Sequence, residues 1–164
     1  MRCRLAKEKD LEQILAIYNY EVEHGTATLD TNPKEMDEWR IWFEMHDENT
    51  HPIYVAVTED IVLGYASLSP YRSKDAFATT VELSLYVDPK VRGRGVASLL
   101  MDTILEHASR EQGIHSVVSV IEGGNAVSIR IHEKYGFTYC GTLHEVGKKF
   151  GRMLDIANYE RLFI

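Results

Sequence analysis

Apolar and polar positions alternate with two different periods along this chain, and the switches between them outline its elements. Arg2–Ala6 reads as a short strand. Behind Asp10, an N-cap candidate, Leu11, Ile14, Leu15, Tyr18 and Val22 share one face at helical spacing, which predicts a helix to about His24. Pro33, with Asn32 before it, sets the start of a second helix carrying Met36, Trp39, Trp42 and Phe43. The period then shortens. Ile53–Thr58 and Ile61–Ser69 read as two arms of a hairpin about Glu59-Asp60, and the polar loop Pro70–Thr79 leads into a strand at Thr80. Past Arg94, the positions Val96, Leu99, Leu100, Thr103, Ile104 and His107 predict a third helix, closed off by Gly113. Ser116–Ile121 reads as a buried strand, and Glu122–Asn125 as a turn into a helix that ends near Tyr135. Two strands finish the chain, from Gly136-Phe137 to about Leu143 and from Leu154 to Phe163. The order β-α-α-β-β-β-α-β-α-β-β predicts a single α/β domain over residues 1–164, a mixed sheet with helices packed on it.

Composition narrows the partners. A chain of 164 residues buries a proper core as one domain, and a hydrophobic share of 45% is ordinary for a globular protein. No apolar run approaches the roughly 18 residues of a membrane span, and MRCRLAKEKD lacks the apolar stretch of a signal peptide. We expect a cytoplasmic protein with no membrane partner. A formal net charge of −7 argues against nucleic acid, which needs a basic surface. The cations gather instead at Arg72–Lys74, Lys90–Arg94 and Lys148–Arg152, a distribution suited to small anionic ligands. Cys3 and Cys140 share no CxxC spacing and read as thiols. The histidines are scattered without HExxH or paired Cys/His spacings, so no metal is expected, and no G-x-S-x-G nucleophile motif is present.

Chemistry concentrates in Val81–Ala97, VELSLYVDPKVRGRGVA. The β-forming run is stopped by Asp88-Pro89, because proline removes a ladder donor and biases its predecessor away from helix. Arg92-Gly93-Arg94-Gly95-Val96-Ala97 then opens a helix. Glycines let backbone N–H groups approach a ligand, and the first helical turn offers unpaired donors at a positive dipole end. A solvated glycine-rich turn, a dinucleotide site and a P-loop are the rival readings. The dinucleotide fingerprint fails at Ser98, where a third glycine would stand, and the P-loop lacks its Gly-Lys-Ser/Thr end.

What remains, Arg92-x-x-Gly95-x-Ala97 after a strand, resembles the acyl-CoA pyrophosphate loop of the GCN5-related N-acetyltransferases. The resemblance covers almost the whole chain. YNYEVEHGTAT, HPIYVA, SLSPYRS, TVELSLYV, GGNAVSIRIHEKYGF and VGKKFGR resemble, in order, pieces of the branch that acetylates phosphinothricin, methionine sulfoximine and methionine sulfone. It implies a mixed, mostly antiparallel central sheet, the acyl-CoA N-acyltransferase fold. It also implies acetyl-CoA as co-substrate, a small amino-acid analogue as acceptor and a homodimer.

The resemblance assigns roles residue by residue. Glu82 takes the position of the catalytic base, in an apolar strand where burial raises a carboxyl pKa toward the useful range. Leu85, Tyr86 and Val87 would align the pantetheine arm, with Val87 nearest the thioester carbonyl. Arg92, Gly93, Arg94, Gly95, Val96 and Ala97 would hold the pyrophosphate, and Asn125 and Ser128 belong to the second CoA segment. His132 occupies the slot where the wider family carries a tyrosine as acid for the thiolate, with Tyr135 the weaker alternative. Acceptor choice is expected in Pro70–Thr79, where the charges of Arg72 and Lys74 suit a carboxylate or a phosphinate, sulfone or sulfoximine oxygen. By resemblance Phe77 is an aromatic acceptor contact, and Val146–Arg152 resembles a loop that approaches the acceptor. Leu29 departs from the aromatic residue of some phosphinothricin-modifying members. Nothing near Cys140 marks an activated nucleophile, so direct transfer in a ternary complex is expected. The rivals are a protein or peptide N-acetyltransferase, which would need an open groove, and a non-catalytic acyl-CoA-binding regulator.

Overall fold

The computed structural model describes residues 1–164 as seven strands and four helices. Strands β1 (Arg2–Leu5), β2 (Ile53–Thr58), β3 (Ile61–Pro70), β4 (Thr80–Val87), β5 (Ser116–Glu122), β6 (Thr138–Lys149) and β7 (Arg152–Leu162) form one sheet in the order β1-β2-β3-β4-β5-β7-β6. Every neighbouring pair is antiparallel except β4–β5. Connectivity explains the exception. Helix α3 (Val96–Arg110) carries the chain from the end of β4 back to the start of β5, the crossover that a parallel pair requires.

The sheet is covered on both faces. On one, α3 and α4 (Ala126–Lys134) pack over Leu68, Val81, Leu83, Val117 and Phe137. On the other, α1 (Leu11–His24) and α2 (Met36–Glu44) set Ile14, Val22 and Trp39 against Val55, Val62 and Tyr65. Full burial of an aliphatic side chain contributes about 1.5–3 kcal/mol, so these two clusters dominate the fold's stability. No helix is long and apolar enough to cross a membrane.

Three expectations shift. Asp10 caps no helix. It closes a short 3-10 turn, where its carboxylate accepts from the Lys7 N–H (2.8 Å) and from Arg4 (2.7 and 3.0 Å). Burial alone would raise that carboxyl, but Arg4 and Lys7 outweigh it and hold the pKa below its usual value.

The second helix begins at Met36, not Pro33, because Asn19 of α1 takes both backbone groups of Lys34 (2.8 and 3.0 Å) and holds that residue out of the helix. A capping box between Glu35 and Glu38 then starts α2. Finally, β6 runs past Leu143 to Lys149 and β7 starts at Arg152. Val146–Arg152 is therefore the tip of a hairpin turning through Phe150 and Gly151, both at positive φ (51° and 73°), as a two-residue turn of the primed type needs. The irregular register between Leu143 and Gly147 hid the strand from a period-two reading.

Candidate active site

β4 and β5 lie side by side only at Thr80, Val81 and Glu82, opposite Ser116, Val117 and Val118. Beyond Glu82 they part, while β4 keeps β3 as far as Val87 and β5 keeps β7 as far as Glu122. A wedge opens in the sheet. Hydrogen-bonded residues alternate along an antiparallel pair, and the Asp88 N–H donates to the Leu63 carbonyl at 2.9 Å. That register turns the backbone groups of Ser84 and Tyr86 toward β3, and those of Leu83, Leu85 and Val87 into the wedge. The parting strands thus leave a row of backbone donors and acceptors without a strand partner.

A cavity of about 950 Å³ fills this wedge. The structure brings Glu82, Leu85, Tyr86, Val87, Arg92, Gly93, Gly95, Val96, Ala97, Asn125, Ser128 and His132 to its walls. Arg94 is not among them, and neither are Arg72, Lys74 and Phe77. In the β3–β4 connection the Arg72 guanidinium lies over the Tyr71 ring (5.0 Å to its centroid) and the Phe77 ring (5.8 Å). The loop packs on itself and, within one chain, stays off the cavity.

Glu82 sits where the strands diverge. Its carboxylate has no hydrogen-bonding or ionic partner in the protein, and partial burial pushes its pKa above the usual range. At the other end, Gly93 and Gly95 take φ of 75° and 83°, a left-handed conformation that disfavours residues with a Cβ. Their pro-Cβ positions face open space, and α3 starts immediately after them with no side-chain cap. The N–H groups of its first turn are therefore available to an anion.

His132 is buried at the end of α4, edge-on to Phe137, with Nδ1 2.7 Å from the Ser128 carbonyl. A carbonyl only accepts, so Nδ1 carries the proton and the neutral ring presents a lone pair at Nε2. Burial lowers the histidine's pKa and disfavours the cation that proton donation from Nε2 would need. Tyr135 points away: its hydroxyl lies 3.0 Å from the Ser98 carbonyl and 2.9 Å from Asp102 Oδ1, both on α3. Asn125 caps α4 by accepting from the Ser128 N–H (3.1 Å). Cys140 is exposed on β6 and does not line the cavity, and no group of three or more His, Cys, Asp or Glu is placed to hold a metal ion.

Sequence reasoning includes YNYEVEHGTAT among the matching pieces and notes Leu29, but gives no individual role to Glu21 near the end of α1 or to Thr26–Thr28 in the strap that follows it. Glu21, Thr26, Ala27, Thr28 and Leu29 line the cavity, and three contacts fix them. Glu21 is ion-paired to Arg92. Thr26 Oγ1 donates to Glu122 Oε2 at 3.2 Å. Lys149, 3% exposed at the hairpin tip, donates Nζ to the carbonyls of Glu21 (3.2 Å) and Thr28 (2.9 Å). Burial lowers the lysine's pKa, and Glu21 and Asp30 oppose that shift. Beneath the strap the Tyr18 hydroxyl bonds Thr28 and Asp30, and Tyr86 meets the Tyr18 ring edge-on at 5.4 Å. Burial raises the Tyr86 hydroxyl so far that it stays protonated. One signal could have found Glu21: it is a carboxylate on the buried face of α1, with Ile14, Tyr18 and Val22.

Residues 14–137 match the model of the acetyltransferase (GNAT) family. The chain is 39% identical to a phosphinothricin N-acetyltransferase of Streptomyces coelicolor, over 98% of this chain and 95% of that protein. It is 42% identical to an L-methionine sulfoximine/L-methionine sulfone acetyltransferase of Pseudomonas paraeruginosa, over 90% and 86% respectively. The structure of yncA, a putative acetyltransferase from Salmonella typhimurium solved with acetyl-CoA, superposes with a TM-score of 0.95 at 36% identity, covering 100% of this chain and 94% of that one.

Proposed function

The chain belongs to the GNAT acetyltransferase family, and from that premise we propose that it acetylates the α-amine of a small amino-acid analogue by direct transfer from acetyl-CoA. The substrate class comes from the relatives: phosphinothricin, methionine sulfoximine or methionine sulfone. One observation carries the reading. An unpaired, half-buried carboxylate stands at one end of a cavity whose other end is a glycine-lined helix start.

Residue chemistry then gives the sequence of events. The first turn of α3, with Gly93 and Gly95 before it, takes the pyrophosphate, and the free backbone edge of Leu85–Val87 aligns the pantetheine arm. A backbone N–H facing the wedge polarises the thioester oxygen, an effect of about 2.7–4 kcal/mol for a single donor in a comparable site. Glu82 accepts a proton from the acceptor's ammonium group, directly or through one water. The neutral amine attacks the acetyl carbon, the C–N bond forms and the C–S bond breaks. The nitrogen's remaining extra proton passes to sulfur, leaving an amide and a thiol. His132 enters this account as a hydrogen-bond acceptor through Nε2, in place of the proton donor expected of it. Direct transfer also fits Cys140, whose thiol lies outside the cavity.

The reading includes a cytoplasmic setting, supported by two free thiols, and a homodimer. Leu143, Val146, Phe150 and Met153 are each at least half exposed on the β6–β7 hairpin, an apolar surface that a second copy would cover. Such a copy could bring cations to a cavity whose own lining holds Glu21, Glu82 and Glu122 against Arg92. Sedimentation as a monomer at micromolar concentration would remove the dimer from the proposal.

The decisive experiment measures thiol release from acetyl-CoA over a panel of amino acids with their sulfone, sulfoximine and phosphinate analogues, alongside peptides. Turnover of at least one analogue, and none of peptides, is the expected outcome. Activity confined to peptides would replace this reading with a peptide N-acetyltransferase. Tight acetyl-CoA binding without turnover of anything would leave a non-catalytic acyl-CoA-binding regulator.

A further inference from the structure

Glu21 is 7% exposed, yet its carboxylate faces the cavity and accepts from Arg92 Nη2. Arg92 itself is half exposed and lies 6.0 Å from the centroid of the Tyr20 ring. A flexible cation at the mouth of the α3 loop is thus gripped by a buried anion from a different element. The surroundings hold that anion in place. Lys149 takes the carbonyl of Glu21, which ties the C-terminal end of α1 to the β6–β7 hairpin. Gly25 has an ordinary extended backbone (φ −131°, ψ −179°), so its conformation does not demand glycine. A Cβ there would overlap Glu21 Oε2. The missing side chain makes room for the carboxylate.

We infer that Glu21 is a positioning residue for the pyrophosphate subsite: it holds the Arg92 guanidinium in place before acyl-CoA arrives, and Gly25 provides the space for it to do so. The inference rests on the reading that the start of α3 receives the pyrophosphate. An arginine has five N–H donors in a planar fork, so a bond from Nη2 to Glu21 leaves the others for phosphate oxygens. Free arginine side chains lose substantial rotamer entropy on binding, and fixing the fork beforehand removes that loss from the binding step. The charges of Glu21 and Arg92 cancel. The benefit is therefore geometric, and Glu21 acts through Arg92 without touching the reacting atoms.

The test compares acetyl-CoA with S-acetylpantetheine, which presents the same thioester without a pyrophosphate. Glu21→Ala removes the anion, and Gly25→Ala displaces it while keeping its charge. Each is expected to raise the Kd and KM for acetyl-CoA about tenfold, equivalent to about 1.4 kcal/mol, with kcat and the S-acetylpantetheine KM unchanged. Glu21→Gln keeps an acceptor for Nη2 and should recover most of the loss. Equal losses for both thioesters would make Glu21 merely structural, and tighter acetyl-CoA binding by Glu21→Ala would make it a competitor for Arg92. Either result, or no change, overturns the inference. If the wild-type protein does not prefer acetyl-CoA to S-acetylpantetheine, the pyrophosphate reading itself fails.

Discussion

Replacing Glu82 by glutamine is expected to lower kcat/KM for the acceptor by about 10²–10⁴-fold while leaving acetyl-CoA affinity in place. Glutamine keeps the shape and the burial but cannot take a proton from an ammonium group. The wild-type pH profile should show the same group. Burial raises the Glu82 pKa, so the active carboxylate is lost as pH falls through a value above the usual carboxylate range. The acidic limb of kcat/KM therefore lies higher than for an exposed glutamate, and Glu82→Gln lacks it.

Stability should move the opposite way. With a folded-state pKa above the unfolded one, the native protein binds more protons between those two values, so stability falls as pH rises across that window. At neutral pH the variant escapes this penalty, and its Tm should match or exceed that of the wild type. An active-site carboxylate held without partners is a common place for stability to be sacrificed to function. Full activity of Glu82→Gln across the pH range would sink the general-base assignment.

Gly95→Asp should abolish acetyl-CoA binding at concentrations that saturate the wild type, with a far smaller effect on folding. Two physical effects combine. Gly95 holds φ at 83°, a region that costs an ordinary residue about 1–2 kcal/mol. A carboxylate also arrives at the helix start expected to receive phosphate, replacing attraction with repulsion. The fold itself should tolerate the change, because nothing lies within 4 Å of the added Cβ. A strain of that size corresponds to a fall in Tm of only a few degrees for a domain of this length. Calorimetric titration and thermal melts separate the two effects. A loss of folding as large as the loss of binding would recast Gly95 as a structural glycine.

Both substitutions lie in Val81–Ala97, where sequence and structure agree best. The strand, its stop at Asp88-Pro89 and the glycine pair before α3 each follow from local chemistry: a missing donor, a fixed φ, a missing Cβ. Local rules fail where a distant partner intervenes. Asn19 held Lys34 out of the helix that Pro33 promised, and Arg4 claimed the carboxylate of Asp10 before it could cap α1. Edge strand β6 combines a broken register with a largely exposed surface, so its polar stretch to Lys149 resembled a loop. The self-packed Arg72–Phe77 cluster gave no sign in the sequence that it would stay off the cavity of its own chain.

The sequence by itself determined the order of the elements, the family and the strand, stop and glycine-led helix start of Val81–Ala97, because all three depend on short-range periodicity and on motifs contiguous in the chain. Only the tertiary structure decided that β4 and β5 part after Glu82, that Glu21 and Lys149 meet over the strap, and that His132 carries its proton on Nδ1. Each depends on groups brought together from separate elements. Glu21 and Lys149 are 128 residues apart in the chain and touch only because α1 and the β6–β7 hairpin converge on the same wedge.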